Sequence, residues 1–193
     1  YNINVFKEKL KGIEGIDILG RERVGRDYIK AIDTSKLWIS MEKNRLTGYD
    51  LERKLREKFK IQVELSNIYG VLALTSISNE ADDFKRLYNA LNSISKFKGK
   101  TIIEDIPSYS YSIPRRKYTP RQALYMEKTR VKLEDSIGQV SGDYLIPYPP
   151  GIPILIPGEL IEEEMVVYIR EMVKMGAEVL GLRDKKCQWI EII

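Results

Sequence analysis

The sequence predicts an α+β protein built in two successive parts. Three observations predict it. Short apolar runs of strand type alternate with amphipathic helical stretches over residues 36 to 95. A stretch rich in proline, serine and tyrosine then interrupts the pattern, and a second set of helix and strand signals comes after it. Hydrophobic residues make up 43% of the 193 positions, enough for a packed core.

Asn2 to Lys11 has the look of a short helix end, and glycines at 12, 15 and 20 punctuate the next ten residues or so. Lys36-Leu-Trp-Ile-Ser-Met41 predicts a strand from its bulky and β-branched residues. Thr47 is a helix N-cap, and Leu51, Leu55 and Phe59 form one apolar stripe behind it. Ile61 to Leu65 alternates apolar and polar, the strand period, and Tyr69 to Thr75 predicts another strand. Asn79 caps a second helix whose buried face is Ala81, Phe84, Leu87, Tyr88, Leu91 and Ile94. The first part, residues 1–100, is therefore a small sheet with helices on one side.

Residues 101–118 predict an extended connector, ending in the basic triplet Arg115-Arg-Lys117. The second part covers 119–193. Thr119 and Pro120 open a helix expected to reach Lys128. Strands are expected at 129–133 and 139–146. A long helix over 160–175 buries positions 161, 165, 168, 169 and 172, carries Glu162 to Glu164 at its positive end and stops at Gly176. Val179-Leu180 and 188–193 predict short final strands.

Composition excludes several classes of function. The net charge is +4, from 32 basic and 28 acidic residues, too small an excess to suggest nucleic acid or a membrane surface as partner. No apolar run approaches the roughly 20 residues of a membrane span. The single cysteine, Cys187, permits no internal disulfide and fits a cytoplasmic location. With no histidine, triads, Cys-His dyads and histidine metal sites are excluded, so no metal site is expected. The start at Tyr1 leads us to expect a piece of a longer chain.

One segment is costly to place in regular structure. Tyr148-Pro-Pro-Gly-Ile-Pro153 has three prolines in five residues, and Pro157-Gly-Glu159 comes shortly after it. Two readings stand: a rigid corner with a helix-capping glutamate, or a stiff loop that holds a carboxylate for recognition. The basic triplet offers a phosphate contact or a solvated linker. Cys187 is expected to be a half-buried small residue, since no histidine base is available to it.

Residues 130 to 181 resemble the C-terminal domain of the bacterial Orn/Lys/Arg decarboxylases of the aminotransferase-like fold. The resemblance rests on Val131-Lys-Leu-Glu-Asp-Ser-Ile-Gly138, Pro147-Tyr-Pro-Pro-Gly-Ile-Pro153, Pro157-Gly-Glu159 and Met175-Gly-Ala177. Asp33 to Leu37, Leu46-Thr-Gly48, Ile61 to Glu64 and the strand at Val71 resemble the aminotransferase-type small domain of the same enzymes.

The resemblance implies a carbon–carbon lyase that uses pyridoxal phosphate to decarboxylate arginine, lysine or ornithine, giving carbon dioxide and a polyamine precursor. The cofactor would sit on a lysine within a Ser-x-His-Lys type motif in a large upstream domain. This chain has no histidine and cannot contain that motif, so no catalytic or cofactor-binding residue and no bound cofactor are expected here. The chain alone is expected to be inactive. Aminotransferases of this fold place a carboxylate-binding arginine on the strand matching Val71 to Thr75; here that strand has none, which suits loss of the carboxylate. The active site of the parent enzyme would lie at the interface of a homo-oligomer. Glu159 is the first candidate partner for the distal cation of a basic substrate, with Tyr148 as an amphipathic wall; Glu64 and Asp143 come second. Competing readings are a non-catalytic binding or oligomerisation module, and an aminotransferase-like enzyme of other specificity.

Overall fold

The computed structural model describes residues 2–26, 28–99, 113–148, 151–184 and 186–193. The chain divides into two compact units, Tyr1–Glu104 and Asp105–Ile193.

The first unit contains α1 (Asn2–Leu10), β1 (Asp17–Ile18), β2 (Lys36–Ser40), α2 (Gly48–Phe59), β3 (Leu65–Ser66), β4 (Val71–Leu74) and α3 (Ala81–Ile94). Its four strands form one antiparallel sheet in the order β1-β2-β4-β3. The register sets Leu37 opposite Ala73 and Ile39 opposite Val71. These four share one face and are buried with Leu10, Leu51, Leu55, Leu91 and Ile94 of the helices in a single core. The other face carries Trp38 and Leu72, only partly buried, and Leu74, exposed. The helices therefore cover one side of the sheet, the outcome that period-two alternation predicts.

The start of α2 shows why Thr-Gly stands there. The Thr47 hydroxyl, fully buried, accepts a hydrogen bond from Asp50 N at 3.1 Å. Gly48 N donates to Ile68 O at 3.1 Å. A Cβ on Gly48 would collide with the carbonyls of Asn67 and Gly70. Only glycine lets the helix start press against that turn.

The second unit contains α4 (Pro120–Leu124), β5 (Thr129–Lys132), β6 (Ile146–Tyr148), α5 (Glu163–Lys174), β7 (Glu178–Leu180) and β8 (Trp189–Ile192). Strand β5 pairs with β8, and β6 with β7, both antiparallel. Isolated bridges extend the first ladder: Ser141 to Ile192, Val140 to Leu160, and Arg116 to Glu159. Backbone pairing thus runs from β5 through β8, residues 140–141 and residues 159–160 to residues 115–116. Met165, Val166 and Ile169 of α5 pack with Leu133, Leu145, Leu155 and Ile190 in the core of this unit. Gly176, at φ 93°, stands just past the last turn of α5 as the C-terminal glycine.

Several expectations are corrected. Residues 61–64 form no strand. Lys60 turns left-handed at φ 54°, and Ile61 N bonds Leu55 O at 3.0 Å, so this stretch first docks on the end of α2. Pairing begins where Glu64 N reaches Leu72 O at 2.9 Å, although burial already alternates before that point. The cap of α3 is Glu80, whose N–H bonds Asp83 Oδ2 at 3.1 Å; Asn79 lies one residue earlier and closes the Ser76 turn. Ala81 is exposed, and Ala90 takes a buried place instead. Helix α4 stops at Leu124, four residues short of Lys128. Ala123 is its one buried residue, so no apolar face exists to extend it.

The run 139–146 is broken at Gly142 and Asp143. The Ser141 hydroxyl donates to Asp143 O at 2.7 Å and accepts from Asp143 N at 3.2 Å, closing a local turn. Helix α5 begins at Glu163, so Ile161 is buried ahead of it; Met165, Ile169 and Met172 are buried as expected, Val166 is buried as well, and Tyr168 is only partly buried. Of the extended connector, residues 101–112 lie outside the described residues. Residues 115–118 do not trail as a linker: Lys117 N and Tyr118 N donate to Gly158 O at 2.8 and 3.0 Å, and Leu160 N donates to Arg115 O at 2.8 Å.

Candidate functional site

The proline-rich segment folds as a hairpin. Leu145 N donates to Leu155 O at 3.0 Å, and Ile154 N to Leu145 O at 2.9 Å. Beyond this closure, toward the tip, the described residues are β6 and Gly151 to Pro153; Pro149 and Pro150 lie outside the described residues. Pro147 is buried opposite Val179 in a ladder of only two strands, where a missing N–H is tolerated. Gly151 N returns to Pro147 O at 3.1 Å, at φ 87°, and a Cβ there would touch the Tyr148 ring.

The Pro-Gly-Glu turn is a junction of three segments. Gly158 N donates to Ser141 O at 2.8 Å, while Gly158 O accepts both Lys117 and Tyr118. Ser141 N donates to Glu159 O at 2.8 Å. Gly158 stands at φ 94°, and a Cβ on it would collide with the Tyr118 carbonyl. Glu159 is partly buried, and its Oε2 accepts from Ile156 N at 3.0 Å. The glutamate thus closes its own turn from within, three residues back. It does not cap α5, whose N-cap is Glu162.

Tyr148 and Glu159 are not brought together. Tyr148 lies three residues beyond the Leu145–Leu155 closure, toward the tip. Glu159 lies four residues beyond it in the other direction. Tyr148 is 45% exposed. The carboxylate placed beside it by the ladder is Glu178, its direct partner in the register, and exposed Leu180 stands on the same face. Glu178 was not among the sequence candidates. Its signal, the exposed–buried–exposed pattern of Glu178-Val179-Leu180, points outward but names no partner until the register is known.

The remaining candidates take other places. Glu64 belongs to the first unit and is exposed. Asp143 Oδ2 accepts from Glu191 N at 2.8 Å, which ties the residue 141–143 turn to β8. Burial pushes its carboxyl pKa up, Glu191 adds to the rise, and the Glu191 N–H bond, Lys128 and Arg183 oppose it. Lys128 Nζ bonds Gly142 O at 2.6 Å and lies 3.6 Å from Glu191, which also meets Arg183 at 3.3 Å. These charges are matched within a structural cluster. Cys187 is buried, and burial pushes its thiol pKa up, away from the reactive thiolate. Among the described residues, no cluster of His, Cys, Asp and Glu could hold a metal ion, and no helix is long and apolar enough to cross a membrane.

Residues 107–185 match the model of the Orn/Lys/Arg decarboxylase C-terminal domain. The match fits a C-terminal piece of an Orn/Lys/Arg decarboxylase. Curated relatives extend the likeness upstream of these residues. The arginine decarboxylase of Halalkalibacterium halodurans is 36% identical over 189 residues, 97% of this chain and 38% of the relative. The arginine decarboxylase of Bacillus subtilis is 35% identical over 98% of this chain and 39% of the relative. A lysine decarboxylase of Hafnia alvei is 28% identical over 56% of this chain. The chain therefore spans about 38% of the length of the Halalkalibacterium arginine decarboxylase that it matches. The fold is similar to a lysine decarboxylase of Francisella novicida, with TM-score 0.71 and 18% identity over 100% of this chain and 39% of that one. The constitutive lysine decarboxylase of Escherichia coli gives TM-score 0.65 at 16% identity, over 100% of this chain and 40% of that one.

Proposed function

We propose that this chain is the C-terminal part of a pyridoxal-phosphate-dependent decarboxylase of a basic amino acid, with arginine the substrate of choice. The observation that carries this is the likeness to arginine decarboxylases over 97% of the chain, against 56% for the Hafnia lysine enzyme. The first unit is the aminotransferase-type small domain and the second the decarboxylase C-terminal domain. Pyridoxal phosphate would supply the electron sink that accepts the carbanion left when carbon dioxide departs. The residues of this chain do not fit as its holder, since the lysine motif of the resemblance includes a histidine and the chain has none. No chemical step is assigned to them, and the chain alone is inactive.

The part that these residues play is recognition. In a cytoplasmic homo-oligomer the hairpin lines the substrate entrance, next to the domain that carries the cofactor. Tyr148 offers an aromatic wall with a polar tip, and a carboxylate of the hairpin meets the guanidinium. Glu159 is the first candidate for that carboxylate. Decarboxylation by the full-length enzyme, assayed with arginine, lysine and ornithine, tests the reading. Preference for arginine supports it; no activity on any of the three removes it. In the same enzyme, Glu159→Gln raises KM for arginine several-fold if the carboxylate meets the substrate. An unchanged KM with a lowered melting temperature would leave Glu159 only its bond to Ile156. Adding pyridoxal phosphate to the isolated chain gives no Schiff-base absorbance of defined stoichiometry.

A further inference from the structure

The first unit gathers two lysines at one exposed aromatic ring. Lys54 Nζ lies 4.6 Å and Lys58 Nζ 5.0 Å from the centroid of Phe97. The lysines stand at i and i+4 on α2, where two like charges repel. The ring quadrupole attracts both ammoniums, and the negative end of the α2 dipole attracts Lys58. Neither influence brings an anion.

Two of the three acids of α2 are engaged elsewhere. Asp50 pairs with Arg53 and Glu52 with Arg56. Glu57, three residues beyond Lys54, makes no ion pair within 4.0 Å among the described residues, and neither lysine has one. Phe97 sits between two further cations in the sequence, Lys96 and Lys98. Its loop is fixed in place. Phe97 N donates to Ile94 O at 2.9 Å, Gly99 N to Asn44 O at 2.7 Å, and Lys98 Nζ to Asn44 Oδ1 at 3.3 Å. A Cβ on Gly99 would collide with the Arg45 carbonyl, so the loop lies directly on the turn that carries exposed Arg45.

We propose that Lys54 and Lys58, held over Phe97, form a binding site for a small polyanion of the phosphate or polyphosphate class. Two ammoniums on one rigid platform suit a ligand with several anionic oxygens better than a single carboxylate, since each oxygen can take its own donor. The site is independent of the decarboxylase reading.

The test is titration of the 193-residue chain with inorganic pyrophosphate at fixed ionic strength, followed by amide chemical shifts. Shifts are expected to concentrate at residues 54–58 and 96–99. Lys54→Ala/Lys58→Ala should weaken binding at least tenfold, while the control Lys9→Ala/Lys11→Ala, on the first helix and the turn after it, leaves it unchanged. Glu57→Gln should tighten binding by removing a competing carboxylate. Equal weakening by both double variants, shifts spread over the whole surface, or no saturable binding would overturn the proposal. Saturable binding of acetate as tight as that of pyrophosphate would overturn the assignment to a polyanion.

Discussion

At the scale of single residues, the strongest constraint falls on Gly158. Its φ of 94° is one that side-chain-bearing residues rarely adopt, and the Tyr118 carbonyl occupies the space of a Cβ. Gly158→Ala should therefore cost about 1–3 kcal/mol, the range for forcing extra atoms into filled space. A lowered urea midpoint with an unchanged slope would show it; an unchanged midpoint would mean that the turn relaxes freely. Thr47→Ala is a milder case. It removes a buried cap and should cost about 1 kcal/mol. Residues with local roles were legible in the sequence: Thr47, Thr119 and Gly176 act on neighbours within four positions. The role of Glu159 was legible only in kind. The sequence offered a stiff corner with a carboxylate, but the acceptor role toward Ile156 depends on a turn that closes backward. Glu178 was not legible, because its partner Tyr148 is set by strand register.

At the scale of elements, the pairing of 115–116 with 159–160 gives the basic triplet a physical meaning. The extended ladder of the second unit ends on one side at Arg115–Lys117 and on the other at β5, which carries Arg130 and Lys132. Among the described residues neither end pairs with a further strand, and like charges keep such ends from pairing with each other. Arg115→Val/Arg116→Val should change stability little, since both side chains are exposed. It should promote self-association, visible as concentration-dependent sedimentation; a variant as monodisperse as the parent chain would refute the edge role. The same element explains which strands the sequence hid. Long alternating or apolar runs, as in β2 and β4, were legible. Single-residue bridges at 140–141 and 159–160 were not, because two-residue contacts carry no period.

At the scale of the whole molecule, the carboxylates set opposing responses to acid. Asp33, Asp83 and Asp184 have pKa values lowered from 3.8, each chiefly by hydrogen bonds. Asp184 accepts from the N–H groups of Lys186, Gln188 and Trp189 at 3.1, 2.7 and 3.2 Å. Their contribution is present above 3.8 and is lost as pH falls below it through the lowered folded values. Asp143 runs the other way. Its folded pKa is raised, so the native state binds the proton more readily than the unfolded chain. Between that raised value and 3.8 its contribution improves as pH falls, and above the raised value its buried charge is a steady cost. Asp143→Asn keeps an oxygen for Glu191 N and removes the charge. It should therefore be more stable than the parent chain near neutral pH, with the advantage shrinking as pH drops toward 3.8. Urea unfolding at a series of pH values measures this directly. If the advantage is absent, the Lys128–Glu191–Arg183 cluster compensates the Asp143 charge fully; if it grows toward acid, the sign of the shift is reversed.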